Sequence, residues 1–162
     1  MKITVIGTGK LGLVTATSLA QHDHDVLCVD RNEHRVNALL QDLSSSMAPD
    51  CYELSVDVIE RQKLRFSCAL REAVASADTV VLAVDIPINP DGSSDLRELW
   101  IATDMLMYHL QPHARVVVKS VVPCGTHRQI ADRINRMTWQ NFDVGQSLSL
   151  SETSCACDPC CP

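Results

Sequence analysis

The 162-residue chain has no apolar run long enough to cross a bilayer and no cluster of basic residues. The first absence excludes a membrane-spanning helix, which needs about 20 consecutive apolar residues. The second, together with a net charge of −6, argues against nucleic-acid binding, because a phosphate backbone is held by grouped Lys and Arg. The N-terminus carries one lysine, Lys2, and then enters a glycine turn. It lacks the basic and apolar regions of a secretory leader, so a cytoplasmic location is expected. No repeat and no low-complexity segment appears before residue 146. What remains is ordinary globular composition, 46% hydrophobic and 21% charged, long enough for one domain with a sizeable core.

The chain is organised around its first thirty residues. Lys2-Ile3-Thr4-Val5-Ile6 is a short β-branched run suited to a buried strand. Gly7-Thr8-Gly9-Lys10-Leu11-Gly12 follows at once and fits G-x-G-x-x-G, and Leu13 to Gln21 can continue as a helix. Val26-Leu27-Cys28-Val29 is a second apolar run, closed by Asp30. In this pattern Gly7 permits a tight turn, Gly9 lets the backbone approach a pyrophosphate, and Gly12 lets helix and strand pack closely. The helix N-terminus offers N–H groups and a positive dipole end to phosphates. A carboxylate at Asp30 can bind both hydroxyls of an adenosine ribose and would repel a 2′-phosphate, which favours NAD over NADP. Arg31, next in the chain, is of the type that accepts that phosphate.

Further along, apolar spacing predicts a helix over 32–41, with Asn32 as its cap, a loop over 44–49 and a short helix over 51–61. A strand is expected at Leu64-Arg65-Phe66-Ser67 and a helix over 69–77. Thr79 to Val84, the most apolar run, reads as a central parallel strand, and Asp85 to Ser94 as a loop at its carboxyl end. Asp95 to Leu110 reads as a long helix, Val116 to Val118 as another buried strand, and His127 to Met137 as a helix after the break at Pro123-Cys124-Gly125-Thr126. Alternating strands and helices imply an α/β fold, a Rossmann-type doubly wound parallel sheet in a single domain. Ligands bind at the carboxyl ends of such strands, so the loops after Ile6, Val29, Val84 and Lys119 are expected to face one crevice.

Several stretches together resemble the NAD-dependent nucleotide-sugar dehydrogenases, the UDP-glucose/GDP-mannose dehydrogenase family, and most of all its UDP-glucose 6-dehydrogenase type. They are Met1 to Gly9, Val29-Asp30, Lys63-Leu64-Arg65-Phe66, Asp91-Gly92-Ser93-Ser94-Asp95-Leu96 and Val118-Lys119-Ser120-Val121-Val122-Pro123-Cys124-Gly125-Thr126. The resemblance runs in order over residues 1 to about 144 and implies an NAD-binding Rossmann domain. It also implies oxidation of the C6 alcohol of a UDP-sugar to a carboxylate with two NAD, through a thiohemiacetal and a thioester on a cysteine of the family's C-terminal half. By family position, Gly7, Gly9, Lys10, Leu11 and Gly12 belong to the phosphate turn, Asp30 holds the ribose, and Arg35 also reaches it. The full-length family forms homodimers through a long helix after this point.

The departures are specific. The family's Gly-Tyr-Val-Gly is Gly9-Lys10-Leu11-Gly12, its Thr-Pro after the central strand is Ile86-Pro87, and its Ser-Thr-Val-Pro is Ser120-Val121-Val122-Pro123. Two hydroxyls near the nicotinamide thus become aliphatic, each loss typically costing about 0.5–1.5 kcal/mol. After Phe142-Asp143-Val144 the family's Pro-Glu-Phe-Leu-Arg-Glu motif, with its catalytic glutamate, is absent. The chain is therefore expected to be truncated relative to the family, with no catalytic residues of its own and no activity alone, the nucleotide sugar binding only with a C-terminal half. Residues 1–144 are expected to form the NAD domain and 145–162 an irregular Cys-rich tail.

Gln146 to Thr153 can be encoded as CAG TCC CTG AGT TTG TCC GAG ACN. Two bases later this reads Val-Pro-Glu-Phe-Val-Arg-Asp, so the tail can be a frameshift product. Cys155, Cys157, Cys160 and Cys161 also supply the four thiols of a structural zinc site, though at cramped spacing, and a disordered tail is the default.

Cys28, Cys51, Cys68 and Cys124 are expected to be free thiols in a reducing compartment, with Cys124 packed rather than reactive. His22, His24 and His34 are expected to be solvated rather than metal-bound. Trp100, Met105 and Met107 are read as core or domain-contact residues, and Lys119 as either near a ligand or structural. A second reading of the whole is a non-catalytic nucleotide-binding or regulatory module, suggested by Ile86, Val121 and the missing glutamate.

Overall fold

The computed structural model describes residues 1–41, 61–138 and 142–146. The expectations for the loop over 44–49, for Cys51 and the helix it begins, and for the tail beyond residue 146 lie outside the described residues; Gly145 and Gln146, expected to open the irregular tail, instead lie in a strand. Strands Lys2–Ile6 (β1), Asp25–Val29 (β2), Leu64–Ser67 (β3), Thr79–Leu82 (β4), Arg115–Val118 (β5) and Val144–Gln146 (β6) form one parallel sheet. Its order is β3-β2-β1-β4-β5-β6. The chain builds outward from β1 to β3, returns beside β1 with β4, and then builds outward the other way. The reversal between β1 and β4 is where a doubly wound sheet opens its crevice.

Helices Lys10–Gln21 (α1), Glu33–Gln41 (α2), Leu70–Ala75 (α3), Arg97–Met107 (α4) and Thr126–Thr138 (α5) cover both faces. β4 shows why its sequence is apolar after Thr79. Val80 and Leu82 enter a core with Leu99 and Leu106 of α4 and Ile130 and Ile134 of α5, whereas Val81 and Ala83 enter a second core with Ala16 and Leu19 of α1. A strand buried on both faces has no side for polar residues.

Asn32 caps α2, its Oδ1 accepting from the Arg35 N–H at 3.2 Å. α4 is shorter than its apolar spacing suggests. Asp95 stands outside it and accepts from the Arg97 N–H at 3.1 Å, and the chain turns after Met107 ahead of Pro112. β6 was not anticipated. Its three residues carry no periodicity, and it is a strand because Val116, Val117 and Val118 of β5 offer an edge to Val144, Gly145 and Gln146.

Candidate functional site

The turn after β1 is built from contacts that exclude side chains. Gly7 has φ +114°, and its N–H donates to the Val29 carbonyl at 2.8 Å, tying the end of β1 to the end of β2. A Cβ on Gly7 would lie 2.5 Å from the Ala83 carbonyl oxygen, and a Cβ on Gly12 would overlap the Gly7 carbonyl. Gly9 then starts α1, and the Leu13 N–H closes the first turn on its carbonyl at 3.0 Å. The first turn of α1 holds no acidic residue. Such a helix start can receive an anion.

Asp30 ends β2 beside this turn. One carboxylate oxygen accepts from the Thr8 N–H at 2.9 Å and the Thr8 hydroxyl at 2.7 Å, and the other from the Asn32 N–H at 2.9 Å. Arg35, one turn into α2, stands 3.5 Å from the first oxygen. Burial pushes the Asp30 carboxyl up. The Thr8 hydroxyl, the Asn32 and Thr8 N–H groups and the Arg35 charge together outweigh it and hold the carboxyl below its ordinary range. A charged carboxylate so oriented keeps lone pairs for a pair of hydroxyls on its open side.

A cleft of about 340 Å³ opens over these groups. Gly7, Gly9, Asp30 and Arg35 line it, together with Asp85 and Pro87 after β4 and Glu98 and Met105 of α4. Of the other expected site residues, Lys10 is exposed at the start of α1, Leu11 packs against the α1 core, and Gly12 is buried. Three of the four loops expected at one crevice line the cleft, and the one after Lys119 does not. β5 lies one strand beyond β4, and its end is stitched to β4 instead: the Ser120 hydroxyl donates to the Val84 carbonyl at 2.7 Å and the Lys119 N–H to the Leu82 carbonyl at 2.8 Å. Ile86 packs against the larger core and Val121 is 83% exposed.

Other expectations divide. Cys28 is buried beneath the turn, where burial and then the Asp30 charge push its thiol up and keep it protonated. Cys124 is exposed, not packed, because the segment from Val121 to Cys124 leaves the sheet before α5 begins. Met107 is buried in the core, Trp100 lies under the Arg133 guanidinium at 5.6 Å, and Met105 is exposed at the cleft rim. His22 and His34 are exposed and His24 half-buried; among the described residues no group of three or more His, Cys, Asp or Glu is placed to hold a metal. No helix among them is long and apolar enough to cross a membrane. Sequence reasoning missed Thr8, Asp85 and Glu98. Thr8 had a signal, being the hydroxyl between the two glycines. Asp85 and Glu98 had none beyond their place near the loop after Val84.

The sheet and its helices have counterparts among known proteins. The model of the UDP-glucose/GDP-mannose dehydrogenase family, NAD binding domain, matches residues 1–151. The chain belongs to this family. NAD is the cofactor of its domain. Among curated members, UDP-glucose 6-dehydrogenase of Rhizobium meliloti is 37% identical over 145 residues, covering 89% of this chain and 33% of that protein. UDP-glucose 6-dehydrogenase YwqF of Bacillus subtilis is 32% identical over 151 residues, covering 93% and 33%. The structure of a UDP-glucose dehydrogenase from Pyrobaculum islandicum superposes with a TM-score of 0.77 at 29% identity, covering 94% of this chain and 37% of that one. GDP-mannose dehydrogenase from Pseudomonas aeruginosa shares the fold, with a TM-score of 0.81 at 23% identity over 90% of this chain and 35% of that one. The chain thus spans about a third of the length of the curated dehydrogenases it matches.

Proposed function

We propose that this chain forms the cofactor-carrying part of a UDP-glucose 6-dehydrogenase-type enzyme that oxidises UDP-glucose to UDP-glucuronate. The reaction balances as one primary alcohol, two NAD⁺ and one water giving one carboxylate, two NADH and three protons. NAD, when bound, supplies the hydride acceptor. The residues present fit it: a turn whose glycines leave no room for side chains, a helix start without an acid, and a carboxylate held charged beside them. In this reading Gly7 and Gly9 bring backbone to the diphosphate. Lys10, Leu11 and Gly12 form the helix turn that faces it. Asp30 accepts the adenosine ribose hydroxyls, and Arg35 steadies Asp30 and reaches the ribose edge.

The preference for NAD over NADP has a second support. Arg31, the residue suited to a 2′-phosphate, is engaged by Glu98 at 2.6 Å. The sugar and the carbon-centred chemistry are assigned to a substrate-binding half beyond the third of the relatives that this chain spans.

The position of Asp30, bonded through Thr8 to the glycine turn itself, carries the reading. Calorimetric titration with NAD and NADP tests it. NAD is expected to bind more tightly than NADP. Asp30→Ala is expected to lose at least about tenfold in NAD affinity, about 1.4 kcal/mol, and to narrow the preference. Equal binding of both cofactors, unaffected by Asp30→Ala, overturns it.

A further inference from the structure

The cleft holds a second carboxylate that this reading does not use. β1 and β4 are parallel neighbours with Ile6 opposite Leu82, so the chain leaving β4 runs beside the glycine turn leaving β1. The Ala83 N–H still donates to the Ile6 carbonyl at 2.9 Å, and the Ala83 carbonyl backs Gly7. Two residues further, the Asp85 side chain lies over Gly9. A Cβ placed on Gly9 would overlap both of its carboxylate oxygens. The space that the absent Gly9 side chain leaves open to a ligand is therefore occupied by a negative charge. The two arginines lining the cleft face other acids, Arg35 standing at Asp30 and Arg31 at Glu98.

We propose that Asp85 sets the cofactor affinity of this chain from the unfavourable side: its carboxylate stands where a dinucleotide diphosphate approaches Gly9, and binding requires it to swing off the turn. The inference rests on the reading of the cleft as the NAD seat. It is specific to phosphate. A carboxylate and a diphosphate a few ångströms apart repel, whereas an uncharged nucleoside that uses only the Asp30 end of the cleft meets no such opposition. The repulsion is also screened by salt, because the side chain is exposed and the Debye length falls from about 10 Å at 0.1 M to about 3 Å at 1 M.

The experiment is calorimetric titration of the 162-residue chain, Asp85→Asn and Asp85→Ala with NAD and with adenosine, at low and high salt. Asp85→Asn keeps the side chain's size and removes its charge; Asp85→Ala removes both. The expected result is NAD binding about tenfold tighter in both variants at low salt, a gap that narrows as salt rises, and adenosine affinity within about twofold of wild type throughout. Unchanged or weaker NAD binding in both variants overturns the inference while leaving the NAD reading standing, provided wild type binds and Asp30→Ala binds at least about tenfold more weakly. An equal gain for adenosine also overturns it, since the effect would then not depend on the diphosphate, and a gain in Asp85→Ala alone overturns it because the obstruction would then be steric rather than electrostatic. Absence of NAD binding in wild type and both variants overturns both.

Discussion

Thr8 donates twice to one oxygen of Asp30, from its backbone N–H at 2.9 Å and from its hydroxyl at 2.7 Å, across a separation of 22 residues. The residue between the two glycines thereby positions the acid at the end of β2, and the turn and the acid form one unit.

Replacing Thr8 by Val keeps the shape and the backbone bond and removes the hydroxyl. A hydrogen bond to a charged acceptor contributes about 1.5–3 kcal/mol, less where the acceptor is partly exposed. Thr8→Val is expected to lower unfolding stability by about 1 kcal/mol in urea denaturation and to weaken NAD severalfold by calorimetry. Unchanged values for both would mean that the backbone N–H alone orients Asp30.

The depressed Asp30 carboxyl predicts an acid-side effect. A group whose folded-state pKa lies below its unfolded value contributes stability that is complete above the unfolded value and is lost as pH falls through the folded one. The Asp30 contribution is therefore expected to hold steady from neutral pH to about pH 5 and to fade below the ordinary value of 3.8. Comparing unfolding free energies of wild type and Asp30→Asn across pH measures it. The gap between them should be flat near neutrality and close in acid. A gap that widens as pH falls would contradict the assignment.

The Arg31–Glu98 pair joins residues 67 apart in the chain, at 2.6 Å, on the rim of the cleft. Both partners are about half exposed, so the pair adds little to stability. Its expected effect is on cofactor choice. Glu98→Gln releases the Arg31 guanidinium for a 2′-phosphate and should raise NADP affinity severalfold with little change for NAD, read as the ratio of dissociation constants. A ratio equal to wild type would show that Arg31 does not reach the phosphate position.

Much of this was readable along the chain. Lys2–Ile6, the glycine turn, α1 and Asp25–Val29 are consecutive, and the propensities and spacing that specify them are local. β4 was readable because burial on both faces leaves its sequence without polar interruption. Asn32 was readable because a cap acts three residues away. β6 was not, since Val144-Gly145-Gln146 becomes a strand only through the edge of β5. Nor was the exposure of Cys124, which depends on where the chain leaves the sheet.

The order of residues alone determined the βαβ unit, the acid at its end and the family, because each depends on neighbours a few positions apart or on motifs in a row. Which charges meet in the cleft was decided only by the fold. Asp85 reaches Gly9 because β1 and β4 lie side by side in register, and Glu98 reaches Arg31 because α4 packs over the ends of those strands. Electrostatic interaction depends on distance in space, and these pairs, remote along the chain, come within range only when the sheet reverses its direction of growth between β1 and β4.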